Sequence, residues 1–331
     1  MRRGYGPDEI YTRSADRSLG LWRDLSERSG QALFYRTGVL WLAREQDPYS
    51  ISTLATLERV GVTFEKLGRA ELAQAYPQIH FGPTAWGILE PDGGALMAQR
   101  AVRAVIKEAE KNGVAYLQDA VLPPSGAGAL NSVATAGNRR ITAAVFVFAC
   151  GPWLPKLFPD VLSRMIQVTR QEVFYFATTP GDLSYSPPAM PVWIDFNDLV
   201  YAIPNVENHG FKIAIDAHGP EFDPDDGDRA VTAEGLRAVR SYLSERVPAL
   251  KEARLVDGEV CQYENTSNGD FLIDRHPLWE NVWLVGGGSG HGFKHGPAIG
   301  EYVAKVISGA GNIEPRFRLS AKETTHRRQV Y

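Results

Sequence analysis

The chain has 331 residues, of which 44% are hydrophobic and 22% charged, and its formal net charge is −4. This is the composition of a globular protein that can form two domains, and the acidic balance excludes an electrostatic case for nucleic acid. The longest apolar run, residues 143–150, is far too short to span a bilayer, and MRRGYGPDE at the start contains no hydrophobic signal segment. We therefore expect a cytoplasmic protein with no membrane contact.

The first third of the chain mixes helical and strand patterns. A helix is predicted at 14–29, where a first-turn aspartate and a closing glycine mark the two ends, and an amphipathic helix is predicted at 97–111. Between them, the spacing of apolar residues predicts a strand at 39–43 and helical stretches at 50–61 and 69–75.

Strand patterns dominate from residue 114 to residue 265. Strands predicted at 114–121 and around the Gly137-Asn138 turn lead to the apolar run 145–151, whose final glycine indicates a buried parallel strand. This order fits the later part of a doubly wound nucleotide-binding domain. Period-two alternation then predicts a mixed or antiparallel sheet, with strands at 171–178, 199–205, 210–217 and 259–265 and one helix at 232–246.

The segment GGGSGHG at 286–292 holds five glycines in seven positions and lies between a predicted strand at 281–285 and a predicted helix at 297–307. Unpaired backbone N–H groups at the start of a helix favour an anionic or electron-rich ligand, and His291 and Lys294 add polar chemistry. A tight connection between strand and helix is the alternative interpretation, because the segment contains no strict GxGxxG.

The two cysteines give neither a disulfide framework nor a metal-ligand spacing. Cys150 lies in the apolar stretch VFVFACGPW and is expected to fill the core. Cys261 lies in the polar stretch VCQYENT, which leaves both a structural and a reactive role open.

Motifs spread over nearly the whole chain resemble the FAD-dependent glycine/D-amino-acid oxidase superfamily, and within it the branch of monomeric sarcosine, N-methyltryptophan and pipecolate oxidases. The pair VCQYENTSNGDFLIDRHP at 260–277 and GGGSGHGFK at 286–294 is the most specific, because its order and separation are improbable by chance. The shorter matches are RRGYG at 2–6, RTGVLWL at 36–42, EPDGGAL at 90–96, ACGPW at 149–153 and GFKIAI at 210–215.

The resemblance implies an α/β fold of mixed α+β character. A Rossmann-like FAD-binding domain is expected from residues 1–35, 95–165 and 265–331, and a substrate domain on a mixed or antiparallel β-sheet from residues 36–94 and 166–264. Family members begin with a strand, a GxGxxG turn and a helix that bind the ADP half of FAD, about 40–50 residues that this chain lacks before Met1. We therefore expect an N-terminally truncated sequence.

The resemblance also implies which residues contact the flavin and the substrate. Cys261 matches the cysteine that carries FAD through a thioether to its ring methyl. Arg2 and Lys294 match the pair that holds the substrate carboxylate, a planar fork beside a point charge, although an exposed lysine is the alternative for Lys294. The residues that match the loop against the pyrimidine end of the flavin are Gly288, Gly290, His291, Gly292 and Phe293.

Four further residues match positions near the reacting atoms. Lys212 has apolar neighbours in its strand, so its ammonium must leave the sheet or find a partner. The resemblance implies that Lys212 holds a water near flavin N5 and promotes reaction with O2, while extension to the surface is the alternative. Tyr201 and Tyr263 match aromatic residues of the substrate cavity, and either could instead be core. Asp216 stands where sarcosine oxidases have a histidine, which makes sarcosine the less secure substrate.

The implied reaction is hydride transfer from the carbon beside an amino acid amine to FAD, followed by imine hydrolysis and reoxidation by O2 to give H2O2. No side-chain base is required, because the amine can react in its neutral form. A monomer is implied, with a small amino acid and O2 as its partners. The alternatives are a dehydrogenase that uses another electron acceptor and a non-catalytic remnant or subunit of the same family.

Overall fold

The computed structural model describes residues 1–324, so the end of the predicted FAD-binding segment 265–331 lies outside the described residues. The helices are α1 (Glu9–Ser29), α2 (Pro48–Val60), α3 (Arg69–Ala75), α4 (Ala98–Lys111), α5 (Leu154–Leu157), α6 (Pro159–Leu162), α7 (Ala233–Arg246) and α8 (Gly296–Ile307). The strands are β1 (Phe34–Tyr35), β2 (Val39–Ala43), β3 (Glu65–Gly68), β4 (Trp86–Glu90), β5 (Ala95–Leu96), β6 (Ser132–Ala134), β7 (Arg140–Thr142), β8 (Phe146–Phe148), β9 (Ile166–Phe176), β10 (Val192–Asp195), β11 (Val200–Ile203), β12 (Phe211–Ile215), β13 (Leu255–Thr266), β14 (Leu272–Arg275) and β15 (Val282–Gly286).

Packing divides the chain into two compact units. The first unit comprises Met1–Ala104, Gln171–Ala217 and Asp228–Cys261. The second comprises Val105–Arg170 and His218–Gly227, together with the chain from Gln262 onward. The assignment of cofactor and substrate roles to the predicted domains stays a prediction, because compactness alone carries no functional label.

The main sheet has eight strands in the order β13-β9-β12-β11-β10-β2-β4-β3, and most of it lies in the first unit. Strands β2 and β10 are parallel, and the other pairs from β9 to β3 are antiparallel. This confirms the mixed sheet predicted from period-two alternation. One face packs on α7 through a core that includes Phe211, Ile213 and Trp193. The opposite face packs on α2 and carries Trp41 and Tyr201.

The second unit contains a three-stranded sheet in the order β14-β15-β8, in which β8 and β15 are parallel. Phe146 and Phe148 of β8 point into a core with Leu284 and Leu154. This confirms that the apolar run before Gly151 forms a parallel strand. Alternate residues of the same run face outward, because side chains of a strand point to opposite faces in turn.

Strands β9 and β13 begin earlier than predicted, and two further predicted elements differ from the structure. Helix α1 begins at Glu9 rather than Ser14, because the carbonyl of Asp8 already accepts hydrogen bonds from the backbone N–H groups of Tyr11 and Thr12. The strand predicted at 114–121 is wrong: only Val121 forms a bridge, with Thr135. The alternating apolar residues of this stretch are largely exposed, so alternation here reflects no buried face. Among the described residues, no helix is long and apolar enough to cross a bilayer.

Candidate active site

Strand register in the first unit places several predicted site residues on one face of the main sheet. Lys212 of β12 pairs with Ile203 of β11 and with Tyr175 of β9, and Tyr201 pairs with Ala214. Directly paired residues share a face, as do residues two apart in one strand. Lys212, Tyr201 and Tyr175 therefore lie on the same face, opposite the core that packs on α7.

The ammonium of Lys212 lies 5.3 Å from the centroid of the Tyr175 ring, within the range of a cation–π interaction. No described residue accepts a hydrogen bond from this ammonium. Burial lowers the pKa of Lys212, and the negative charges available to Cys261 and Glu259 oppose that shift. Lys212 is half-buried beside the Tyr175 ring, and both its predicted role and the alternative left open by its sequence stay predictions.

Cys261 lies in β13 as a free, half-buried thiol. Burial raises its pKa, and the ammonium of Lys212 lowers it in part. Tyr175 belongs to the same group, because its hydroxyl lies 3.4 Å from Oε2 of Glu259 and burial raises its pKa. Lys212, Cys261, Tyr175 and Glu259 thus interact electrostatically in the first unit, and the predicted roles of Lys212 and Cys261 stay predictions.

Arg2 lies among aromatic rings on a tightly packed N-terminal segment. Its guanidinium carbon is 4.2 Å from the centroid of the Tyr5 ring, 5.3 Å from that of Trp41 and 5.4 Å from that of Phe196. Nη1 donates a 2.6 Å hydrogen bond to the carbonyl of Gly4. A Cβ at Gly4 would lie 2.6 Å from the Trp41 ring, so glycine is required for this approach.

Glu90, which is fully buried at the end of β4, fixes this N-terminal segment. Oε2 accepts from the backbone N–H of Arg3 at 2.8 Å and from Arg3 Nε at 3.2 Å, and Oε1 accepts from the backbone N–H of Gly4 at 3.1 Å. Trp41 Nε1 adds a fourth bond to Oε1 at 2.8 Å. A single carboxylate thereby holds both the backbone beside Arg2 and one of the rings that surround it.

Asp216 follows the last residue of β12 and is half-buried. Its backbone N–H donates a 2.6 Å hydrogen bond to the carbonyl of Leu199, which continues the pairing of β11 and β12 by one residue. By strand alternation Asp216 falls on the same face as Lys212 and Ala214. The register thus places Asp216 in line with Lys212, four residues away.

The glycine segment 286–292 forms the turn between β15 and the short helical turn Phe293–His295 that leads into α8. Gly287 and Gly290 have φ values of +70° and +79°, a left-handed conformation that glycine adopts without steric cost. A Cβ at Gly290 would lie 2.4 Å from the Tyr263 ring. Tyr263 therefore packs directly on the loop, which requires glycine at position 290.

The polar side chains of this loop have defined partners. His291 is buried, with Nε2 3.0 Å from the carbonyl of Gly269 and its ring stacked on Phe271. Lys294 Nζ donates a 2.9 Å hydrogen bond to the carbonyl of His291, and Phe293 is exposed. The imidazole of His291 thus supports the loop through its hydrogen bond to Gly269 and the ring stacking. The predicted flavin contact of His291 stays a prediction for its backbone rather than its ring.

Glu264 of β13 lies beneath the same loop and was not predicted as a site residue. Its Oε1 accepts a 3.1 Å hydrogen bond from the backbone N–H of Gly288, and its backbone carbonyl accepts from Ser289 at 3.2 Å. Burial raises the pKa of Glu264 to about 7, although the N–H groups of Gly288 and Gly287 lower it in part. The sequence contained one signal for this residue, because Glu264 is a carboxylate within the most specific motif, 260–277.

The structure places the predicted site residues in two groups. Arg2, Tyr201, Lys212, Asp216 and Cys261 belong to the first unit. Tyr263, Lys294 and the loop residues Gly288, Gly290, His291, Gly292 and Phe293 belong to the second unit. Among the described residues, no cluster of histidine, cysteine, aspartate or glutamate could hold a metal ion.

Sequence comparisons connect this arrangement to known proteins. A family model described as DAO, FAD dependent oxidoreductase, matches residues 2–306. The chain is 29% identical over 314 residues to peroxisomal sarcosine oxidase of Homo sapiens, in an alignment that covers 92% of this chain and 80% of that protein. It is 27% identical to N-methyl-L-tryptophan oxidase of Citrobacter koseri, with 93% and 82% covered.

Solved structures share the fold. L-proline dehydrogenase from P. horikoshii superposes with a TM-score of 0.80 at 22% identity, covering 96% of this chain and 84% of that chain. Fructosyl peptide oxidase from E. terrenum superposes with a TM-score of 0.79 at 20% identity, covering 95% and 79%. The likeness extends over nearly all of this chain.

Proposed function

The chain belongs to the family of FAD-dependent oxidoreductases described as DAO, and on this premise we propose that it oxidises the amine of a small amino acid. The substrate class is sarcosine-like: an N-methyl or cyclic secondary amino acid with a free carboxylate. Two relatives with alignments across more than nine-tenths of this chain are named for sarcosine and for N-methyl-L-tryptophan, which supports this class. The single observation that carries the proposal is the electrostatic interaction between Lys212 and the Cys261 thiol in the first unit.

The residues present fit a flavin. The loop at 286–292 leads into α8, and five of its seven residues are glycines, so most of the groups it offers to a ligand are backbone groups. Cys261 has a free thiol, and the ammonium of Lys212 has no hydrogen-bond acceptor among the described residues. Both groups are available to contact the ring system of a flavin. We infer that Gly288, Gly290, Gly292 and the backbone of His291 and Phe293 hold FAD. FAD, when bound, supplies the acceptor for a hydride.

Arg2 and Lys294 are the proposed ligands of the substrate carboxylate. The aromatic rings around Arg2 leave its charge in an environment of low polarity, where a carboxylate partner is favoured more strongly than in water. The proposed role of Tyr201 and Tyr263 is to line the cavity around the amine. Asp216 offers a carboxylate to the substrate amine, which favours substrates that differ from sarcosine.

Lys212 is the residue proposed to speed reoxidation by O2, with H2O2 as the product. A cation without a hydrogen-bond acceptor among the described residues is suited to stabilise negative charge that develops beside it. We expect Lys212→Met to lower the rate of reaction with O2 by about 10²–10³-fold, the loss typical of one removed electrostatic group. Oxygen consumption and reduction of an artificial acceptor are measured side by side. An unchanged oxygen rate contradicts the role of Lys212.

Covalent attachment of FAD is tested by acid precipitation. We expect the flavin of the wild-type protein to stay with the precipitate, that of Cys261→Ser to be released, and that of the matched control Cys150→Ser to be retained. Flavin that remains covalently bound in Cys261→Ser contradicts the attachment site. A wild-type protein that binds no flavin in either form supports the non-catalytic alternative.

The substrate class and the electron acceptor need separate measurements. A panel of N-methyl and cyclic amino acids is mixed anaerobically with the flavin-loaded protein, and bleaching of the visible spectrum identifies substrates. Arg2→Met is expected to raise KM by about 10–100-fold, because one charge-assisted hydrogen bond is lost, while exposed Arg13→Met leaves KM unchanged. Peroxide formation without an artificial acceptor indicates an oxidase, and its absence indicates a dehydrogenase.

We propose that the protein is a monomer in solution, and light scattering tests this oligomeric state.

A further inference from the structure

The carboxyl group of Glu264 is only half satisfied by the protein. Oε1 accepts the backbone N–H of Gly288 at 3.1 Å. Oε2 is buried and accepts no hydrogen bond from any described residue. A Cβ built on Gly286 would lie 3.0 Å from Oε2, so this oxygen lies close to the backbone of that glycine.

This environment favours the neutral acid. An ionised carboxylate has about four lone-pair positions to satisfy, and burial of an unpaired charge costs more than burial of a neutral acid. The neutral acid can keep the bond from Gly288 at Oε1 and carry its proton on Oε2. Glu264 can therefore change its charge without breaking its contact with the loop.

We propose that Glu264 binds a proton from solvent when the ligand on the 286–292 loop gains negative charge and releases that proton when the charge is lost. An O–H bond forms on Oε2 and breaks again, and no electron leaves the side chain. The coupling is reciprocal, because a charge that favours protonated Glu264 is itself favoured by protonated Glu264. The identity of the ligand as a flavin rests on the proposed function.

The surroundings of Glu264 set how its carboxyl group responds near neutral pH. The backbone N–H groups of Gly287 and Gly288 lower the pKa of Glu264, and burial raises it to about 7. Cys150 faces it, but burial and the charge of Glu264 both raise the pKa of that thiol. On the loop itself, His291 binds the carbonyl of Gly269 and stacks on Phe271.

A structural role alone would not require an ionisable group. The side-chain carbonyl of a glutamine can accept the N–H of Gly288 as Glu264 does, and its amide remains neutral at every pH. Glu264→Gln therefore keeps the loop contact and removes the exchangeable proton. It separates proton binding from support of the loop.

The test is a potentiometric titration of the flavin-loaded protein between pH 5.5 and pH 9, with a chemical reductant and mediators instead of a substrate. One pH unit is a tenfold change in proton concentration, which corresponds to about 30 mV for a two-electron couple. We expect the slope of the wild-type midpoint potential against pH to steepen by this amount above neutral pH, where reduction adds one proton to Glu264. Glu264→Gln should lose the change of slope, and Cys150→Ser should keep it.

A change of slope that persists in Glu264→Gln, or that disappears in Cys150→Ser, overturns the proposal. Infrared difference spectra of the wild-type protein provide a second measurement. The carbonyl stretch of a protonated carboxylic acid should increase when the flavin is reduced at pH 8. If the variant fails to fold, a wild-type protein with neither this band nor the change of slope overturns the proposal. Both measurements are independent of amine turnover, so a failed substrate assay leaves them interpretable.

Discussion

Two glutamates of this chain, the buried Glu90 and the half-buried Glu264, each hold a glycine-containing segment, and they do so in opposite ways. Glu90 receives four hydrogen bonds, one of them from the guanidinium of Arg3. Glu264 receives the N–H of Gly288 on one oxygen, while the other oxygen is buried without a partner among the described residues. A fully paired carboxylate is a fixed part of the fold, whereas a half-paired one can exchange a proton.

The largest expected effect comes from the fully paired glutamate. Glu90→Ala leaves the guanidinium of Arg3 buried without its main partner, so we expect the free energy of unfolding to fall by about 3–5 kcal/mol. Urea denaturation followed by circular dichroism measures this change. Glu65→Ala, on an exposed position of β3, is the control and should stay within about 0.5 kcal/mol of the wild type. Equal decreases in the free energy of unfolding of the two variants would contradict the role assigned to Glu90.

The second effect concerns pH and the half-paired glutamate. The pKa of Glu264 is raised from 4.5 to about 7, so the folded state binds its proton more tightly than the unfolded state. Its contribution to stability is complete below pH 4.5 and is lost as pH rises to 7, a change of about 3 kcal/mol. Glu264→Gln should lack this loss and Glu264→Asp should retain one. The test is to measure the free energy of unfolding at pH 5 and pH 8. The same pH dependence in wild type and Glu264→Gln would contradict the predicted contribution of Glu264.

The smallest effect distinguishes the loop above Glu264 from the helix that follows it. Gly290→Ala combines a left-handed φ of +79° with a Cβ 2.4 Å from the Tyr263 ring, and we expect a loss of about 1–3 kcal/mol. Gly300→Ala lies within α8 with no atom within 4 Å of the added Cβ, and should gain about 0.5–1 kcal/mol. Thermal unfolding of both variants measures the contrast. A stabilised Gly290→Ala would show that the loop adapts to a side chain.

Local patterns predicted most elements of this fold. The apolar run ending at Gly151 forms a parallel strand, and the amphipathic pattern at 97–111 forms α4, although only Ala101 and Ala104 of this helix are buried. The same reasoning failed at 114–121, where the alternation of apolar residues meets no partner strand. Periodicity reports what a face could bury and does not report whether a neighbour is present.

The candidate site was only partly accessible from the sequence. The motifs around Cys261 and the glycine loop predicted the family, which the comparison over residues 2–306 confirms. Glu90 could not be recognised as the anchor of Arg2, because its partner Arg3 lies 87 residues away and no local spacing encodes that contact. The state of Glu264 was equally inaccessible, since it depends on which atoms surround one oxygen.

Trp41 contacts both Glu90 and Arg2. Its indole N–H donates a hydrogen bond to Glu90, and the guanidinium of Arg2 lies over its ring. The absorption and emission of an indole respond to a charge held near its π-system. A carboxylate that binds Arg2 therefore acts on a chromophore already built into the chain. If Arg2 binds the substrate carboxylate as proposed, the difference spectrum between wild type and Trp41→Phe will change when substrate is added.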